Sequence, residues 1–203
     1  MFAGCKNIID IHFIKFNTYY VKNMKYMFYG CENIKNINLF SFNTANCLDM
    51  SNMFEKCKKL EYIDLSSFKI NNKINMNNMF LDCVKLNEDF LKRVEFKDLQ
   101  ILNLKGKFIF IDIKILEKVD FQQLQQLDLS HNIISDIEVL KRVDFKQLQQ
   151  LDLCTNIISD IKVLEKVNFK QLKELDLTEN EISIEENSSL ITYLKSKTSK
   201  FKY

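Results

Sequence analysis

Proline is absent from the 203 residues, and glycine occurs only three times, at Gly4, Gly30 and Gly106. A chain of this length must still turn, so its bends fall to other residues, asparagine foremost, whose side chain bonds nearby backbone. No apolar run approaches the ~18 residues of a membrane-spanning helix. No charged segment followed by an apolar one opens the chain, as a secretory signal would. Histidine is confined to His12 and His131, which the repeats described below separate by about four coils. His12 reads as a solvated surface residue on a strand, and His131 as part of a bend. There is no glycine-rich phosphate loop, no Cys-x-x-Cys and no Gly-x-Ser-x-Gly. Net charge is +2, too balanced to point to nucleic acid. What remains is ordinary globular material, 46% hydrophobic and 28% charged, with ample apolar surface for a core.

That material is periodic. Leu127-Asp128-Leu129-Ser130 returns as Leu151-Asp152-Leu153-Cys154 and Leu175-Asp176-Leu177-Thr178, a 24-residue period. Asn132, Asn156 and Asn180 follow at one offset, then Ile134, Ile158 and Ile182. Each unit is led by a Val-x-Phe-x-x-Leu segment, such as Val143/Phe145/Leu148. Leu124, Leu127 and Leu129 lie on one side of a short strand, with Gln126, Asp128 and Ser130 on the other. Asn132 suits a tight bend and tolerates left-handed geometry. Ser135 or Asp136 then caps a short helix, Glu138 completing a capping box with Ser135, and Ile137, Leu140 and Phe145 turn inward. No single coil buries that wedge, so neighbours must stack. The pattern L-x-x-L-x-L-x-x-N-x-I resembles a leucine-rich repeat.

Residues 1–83 carry a second period, of 26 residues. Met1-Phe2-Ala3-Gly4-Cys5 returns at Met27 to Cys31, Met53 to Cys57 and Met79 to Cys83. Ile8/Ile11/Phe13, Ile34/Ile37/Leu39 and Leu60/Ile63/Leu65 supply strands, Phe16, Phe42 and Phe68 follow, and Met24, Met50 and Met76 close each cycle. This frame resembles the BspA-like leucine-rich repeats of microbial surface proteins, most closely over Phe42-Asn43-Thr44 and Met50 to Cys57, and departs from them at Lys69-Ile70 and Lys73. Together the two resemblances imply an α/β solenoid: about seven right-handed coils, a parallel sheet on the concave face, helices or turns on the convex face.

The expected organisation is one solenoid over residues 1–203. The 26-residue coils fill 1–83, a junction fills 84–104, the 24-residue coils fill 105–184, and a cap and tail fill 185–203. In the junction, Phe90 to Phe96 matches Val139 to Phe145 and reads as a helix of the second type. Asp89 falls where a strand would want isoleucine, so none is expected there, and Leu99 to Leu104 is the next strand. Leu190 to Leu194 reads as a capping helix, and Lys195 to Tyr203 as a frayed tail. The array opens in register at Met1 with no cap ahead of it, which favours a truncated or incompletely predicted product. The compartment stays open: cytoplasmic, or the cell surface if the N-terminus is truncated.

Cys5, Cys31, Cys57 and Cys83 recur in the Met-Phe-x-x-Cys frame. Repeat-matched residues stack at ~4.8 Å, but their Cβ vectors run parallel, which disfavours disulfides. Buried thiols behaving as small apolar groups are the expected reading, and a line of sulfurs is a poor tetrahedral metal site.

No catalytic constellation, cofactor site or metal site emerges, so the expected function is a non-enzymatic module that binds a protein partner on the sheet face. The outward positions form two columns: Asp10, Asn36, Tyr62, Ile101, Gln126, Gln150 and Glu174, beside His12, Asn38, Asp64, Asn103, Asp128, Asp152 and Asp176. All but Ile101 are candidate contact residues. The three consecutive aspartates repel by about 3 kcal/mol at ~5 Å and an effective dielectric near 20. They read either as a by-product of Leu-Asp-Leu repetition, or as an acidic patch for a basic partner or an adventitious cation. The BspA-like resemblance implies a second function, a surface or adhesive structural protein. A third reading is the recognition portion of a larger enzyme or ligase.

Overall fold

The computed structural model describes residues 1–70, 74–86, 98–106 and 113–203. The expected helix at Phe90 to Phe96, the position of Asp89 and the departure at Lys73 lie outside them. Three-residue strands recur in repeat register: β1 Asp10–His12, β2 Asn36–Asn38, β3 Tyr62–Asp64, β4 Ile101–Asn103, β5 Gln126–Asp128, β6 Gln150–Asp152 and β7 Glu174–Asp176. All pair in parallel, Ile37 with Ile11 and Ile63, and Leu151 with Leu127 and Leu175. The fold is an α/β leucine-rich-repeat solenoid. One cluster of buried apolar side chains runs from Phe13 to Leu194.

The strands, with β8 at Lys200–Lys202, form two sheets, β1-β2-β3 and β4-β5-β6-β7-β8, and not one face. The cause lies in the second flank of the 26-residue coils. There Asn23, Asp49 and Asn75 turn Oδ1 back onto the N–H of Lys25, Ser51 and Asn77 at 2.8–3.0 Å, and Asp49 bridges Asn23 and Asn75 in parallel. Three residues on, Tyr26, Asn52 and Asn78 take positive φ. Met50 N–H donates to Asn75 C=O, and Asn52 N–H to Asn77 C=O. The 24-residue coils repeat this motif on their sheet. Asp128 and Asp152 accept from Ser130 and Cys154 N–H, and His131 and Thr155 take positive φ three residues on. Leu129 N–H donates to Asp152 C=O, and His131 N–H to Cys154 C=O. The sheet of the second array therefore corresponds to the Asn23/Asp49/Asn75 ladder, half a coil away from β1–β3.

Each 26-residue coil is thus bonded to its neighbours along both flanks, with Met-Phe-x-x-Cys closing it. Phe2, Phe28, Phe54 and Phe80 stack at 5.5–5.6 Å with rings within 8° of parallel. The cysteines are free and do more than fill space. The thiols of Cys31, Cys57 and Cys83 donate to the carbonyls of Phe2, Phe28 and Phe54 at 3.0–3.1 Å. Burial, the main cause, raises all three thiol pKa values. Thr18 and Thr44 are buried and bond across to Asn43 and Lys69 of the next coil, both donating to its carbonyl and accepting from its backbone N–H.

In the 24-residue coils the flank away from the sheet holds 3₁₀ turns, Lys114–Lys118, Glu138–Arg142 and Lys162–Glu165, where a short capped helix was expected. Asp136 and Asp160 accept the N–H of Glu138 and Lys162; Ser135 does not cap, and no capping box forms. Asn132, Asn156 and Asn180 keep ordinary φ, the left-handed residues being their predecessors His131, Thr155 and Glu179. Ser130, expected outward, is 1% exposed and donates its hydroxyl to Asp128.

At the C-terminus, α1 spans Ser188–Lys197 and buries Ile191 and Leu194 over the last coil. The tail beyond it is not frayed. Lys200–Lys202 forms β8, which pairs with β7 so that Lys200 opposes Glu174, Phe201 opposes Leu175 and Lys202 opposes Asp176. Phe201 supplies the one apolar contact that the register needs. The lysines match the acids opposite them, and their charge also blunts the open edge against further strand pairing.

Candidate interaction surface

The two sheets divide the expected contact residues into two sets. Asp10, His12, Asn36, Asn38, Tyr62 and Asp64 lie on β1–β3, where Asn36 donates to the Asp10 carboxylate at 3.0 Å. Asn38 and Asp64 bend onto the N–H of Phe40 and Ser66, leaving Ile14 and Phe40 exposed at the strand ends. No residue of this sheet lines the groove on the other sheet.

A groove runs over β4–β8, with a volume of about 260 Å³. Its lining includes Asn103, Gln126, Asp128, Gln150, Asp152, Glu174 and Asp176, together with Asn77, Lys200 and Lys202. The presence of Asn77 fits the correspondence between this sheet and the Asn23/Asp49/Asn75 ladder. The carboxylates are held, not floppy. In Asp128, Asp152 and Asp176, Oδ1 accepts the N–H two residues on at 3.0–3.1 Å, fixing the side-chain rotamer. The remaining oxygens differ from coil to coil. Asp128 Oδ2 accepts the Asn103 amide at 3.0 Å, and Asp176 Oδ2 accepts Lys202 Nζ at 2.5 Å. Among the described residues, no lysine, arginine or amide side chain meets Asp152.

Charge therefore changes along the groove. Burial works to raise the Asp176 carboxyl, but bonds from Lys202 and Thr178 outweigh it and hold its pKa below the usual range. Lys200 pairs with Glu174 at 3.2 Å. The β8 end is neutralised; among the described residues Asp128 and Asp152 form no ion pair, Asp152 feeling Lys202 only at a distance. Among the described residues, Asp152, Cys154 and Asp176 offer donors within 4.8 Å of one another. Burial first, then the Asp152 carboxylate, pushes the Cys154 thiol up to about 11, so a cation would have to displace both its proton and Lys202.

Sequence reasoning missed Asn77, Cys154, Lys200 and Lys202. Cys154 could have been found from its fixed place two residues after Asp152. The lysines were signalled only by their alternation around Phe201.

Beneath this face Asn132, Asn156 and Asn180 lock the coils together. Asn156 is 6% exposed. Its Oδ1 accepts Ile134 N–H at 3.0 Å, and its Nδ2 reaches Leu129 C=O at 3.1 Å and Leu153 C=O at 2.9 Å.

Among the described residues no helix is long and apolar enough to cross a membrane. Residues 122–166 match Leucine Rich repeats (2 copies). No curated protein matches the chain. Among solved structures it is similar to internalin C2 of Listeria monocytogenes, at 21% identity and a TM-score of 0.35, over 80% of this chain and 69% of that one. A leucine-rich-repeat protein of Leptospira interrogans matches at 19% identity and a TM-score of 0.34, over 80% and 47%. The plant peptide hormone receptor RGFR1 in complex with RGF2 matches at 19% and 0.33, over 75% and 25%. Residues 1–107, more than half of the chain and the whole 26-residue array, match the family described as Mycoplasma protein of unknown function, DUF285, and the chain belongs to that family.

Proposed function

We propose that residues 1–203 act as one non-enzymatic protein-interaction module whose partner seats in the groove over β4–β8. The observation that carries this reading is the division of labour within each coil. Inward residues are used up in packing, while outward ones recur in register across five strands and line one continuous groove. Repetition of this kind makes an extended docking surface out of short elements. Side chains that are already fixed on the backbone lose little entropy when a partner arrives.

The test compares partner capture from cell extract by the wild-type chain, by Gln150→Arg in the groove, and by Lys162→Glu on the 3₁₀ flank. The expected result is a captured protein lost with Gln150→Arg and kept with Lys162→Glu, with slowed amide exchange over β5–β7 in the complex. Capture that survives Gln150→Arg, or exchange protection confined to the 3₁₀ flank, overturns it.

A further inference from the structure

The groove has a spacing and a polarity, and both bear on what fits it. Resting on the groove reading above, we infer that the occupant is an α-helix laid across the strands. It carries two basic residues one turn apart, over Asp128 and Asp152, and its C-terminus lies at β8.

The spacing argument is arithmetic. Outward residues of neighbouring parallel strands repeat at ~4.8 Å, and one helical turn advances ~5.4 Å. Over the two intervals from Asp128 to Asp176 the mismatch is only about 1.2 Å, well within the reach of lysine or arginine. An extended peptide presents same-side residues ~6.7 Å apart, so it falls out of step by about 4 Å over the same span. A helix keeps one side chain per coil, and a strand does not. The volume of about 260 Å³ suits side-chain ends entering from above.

The charge argument fixes what those ends carry. Asp128 and Asp152 present carboxylates pinned by Ser130 and Cys154 N–H. Beside them stand Gln126 and Gln150, half-buried, whose amides meet no side chain among the described residues. Asp176 already holds Lys202 and offers no third cation site. Direction follows from the ends. The N-terminus of a helix carries partial positive charge and the C-terminus partial negative charge. The β8 lysines are already paired, whereas Asp128 has no ion pair among the described residues, so the N-terminus belongs toward Asp128 and Asn103 and the C-terminus at β8.

The test uses three fluorescent alanine-based peptides of matched charge, titrated into the full chain. The first carries arginines at i and i+4, the second at i and i+2, and the third at i and i+4 around a central proline that breaks the helix. The first should bind roughly five- to tenfold more tightly than the others, as two partly screened ion pairs would produce. Its affinity should fall with salt, and Asp152→Asn, whose amide still accepts Cys154 N–H, should abolish the preference. Equal binding of the three peptides, or a preference that survives Asp152→Asn, overturns the inference. If no peptide binds while Gln150→Arg still abolishes partner capture, the helix inference fails and the groove reading stands.

Discussion

Replacing Asn156 by alanine tests the physical core of the second array. The amide serves two coils at once. Its oxygen is the acceptor for Ile134 N–H, and its nitrogen donates to Leu129 and Leu153. Those carbonyls each keep a second donor, Asn132 for Leu129 and Asn180 for Leu153. Ile134 N–H keeps none, and a buried unpaired N–H costs about 1–3 kcal/mol. Two weakened carbonyl bonds and a small cavity add about another 1 kcal/mol. The expected loss is about 3 kcal/mol, measured by urea unfolding followed by circular dichroism. Asn180→Ala should cost less, since the same acceptor role, toward Ile158, is played by a half-exposed side chain. Asn156→Asp keeps the acceptor but turns a carboxylate toward two carbonyls. Its folded-state pKa must rise, so at neutral pH it should destabilise more than alanine, and acidification should shrink the defect. A change within ~0.3 kcal/mol for Asn156→Ala, below the cost of one unpaired N–H, would refute the reasoning.

Three further outcomes follow from the same geometry. Asp152→Asn should leave stability unchanged or raise it by up to ~0.5 kcal/mol, whereas Asp152→Ala should lose about 1 kcal/mol with the Cys154 N–H bond; equal effects in thermal unfolding would sink the turn-bond account. Cys31, Cys57 and Cys83 have raised folded-state pKa values, so their contribution is intact below the unfolded thiol pKa near 8.5 and fades as pH rises above it. The alkaline loss measured by urea titration at several pH values should shrink in Cys57→Ala, and an unchanged pH slope contradicts it. Lys202→Glu sets a carboxylate against Asp176, so amide exchange over Lys200 to Lys202 should quicken while that over β5 does not; unaltered exchange would show that β8 is held by Phe201 alone.

Much of the architecture was legible because repetition multiplies weak signals. Each strand is three residues long, too short to recognise singly, yet Ile11, Ile37 and Ile63 fix one another by period. The same holds for the inward placing of Ile137, Leu140 and Phe145. The division into two sheets was not legible, because Asn23, Asp49 and Asn75 are single bridges flanked by exposed residues such as Leu48. They show no apolar alternation, and their kinship with Asp128 shows only in the left-handed residue three places on and the coil-to-coil backbone bonds around it. The identity of those left-handed residues also hid them. His131, Thr155 and Glu179 have no shared chemistry, the coil-to-coil backbone bonds dictating a conformation that side-chain propensity does not announce. The groove was half read: its aspartates were found in column, but the lysines that neutralise one end lie in a tail whose composition suggests fraying.

The unequal bonding of the two arrays has a mechanical consequence. A 26-residue coil is laced to its neighbours by backbone on both flanks, so flexing that part of the rod must stretch hydrogen bonds on one side or the other. A 24-residue coil is laced along its sheet and just beyond it, by Ile157 N–H to Ile134 C=O and Glu181 N–H to Ile158 C=O, while between its 3₁₀ turns contact is made by side chains such as Arg142 and Glu117. The rod is therefore stiff at one end and hinged along the sheet at the other, and the compliant half is the half that carries the groove. Bending there opens or closes the 3₁₀ flank, while the ladder bonds of the sheet hold the pitch of the outward columns. Under tension along the axis, the same half should yield first.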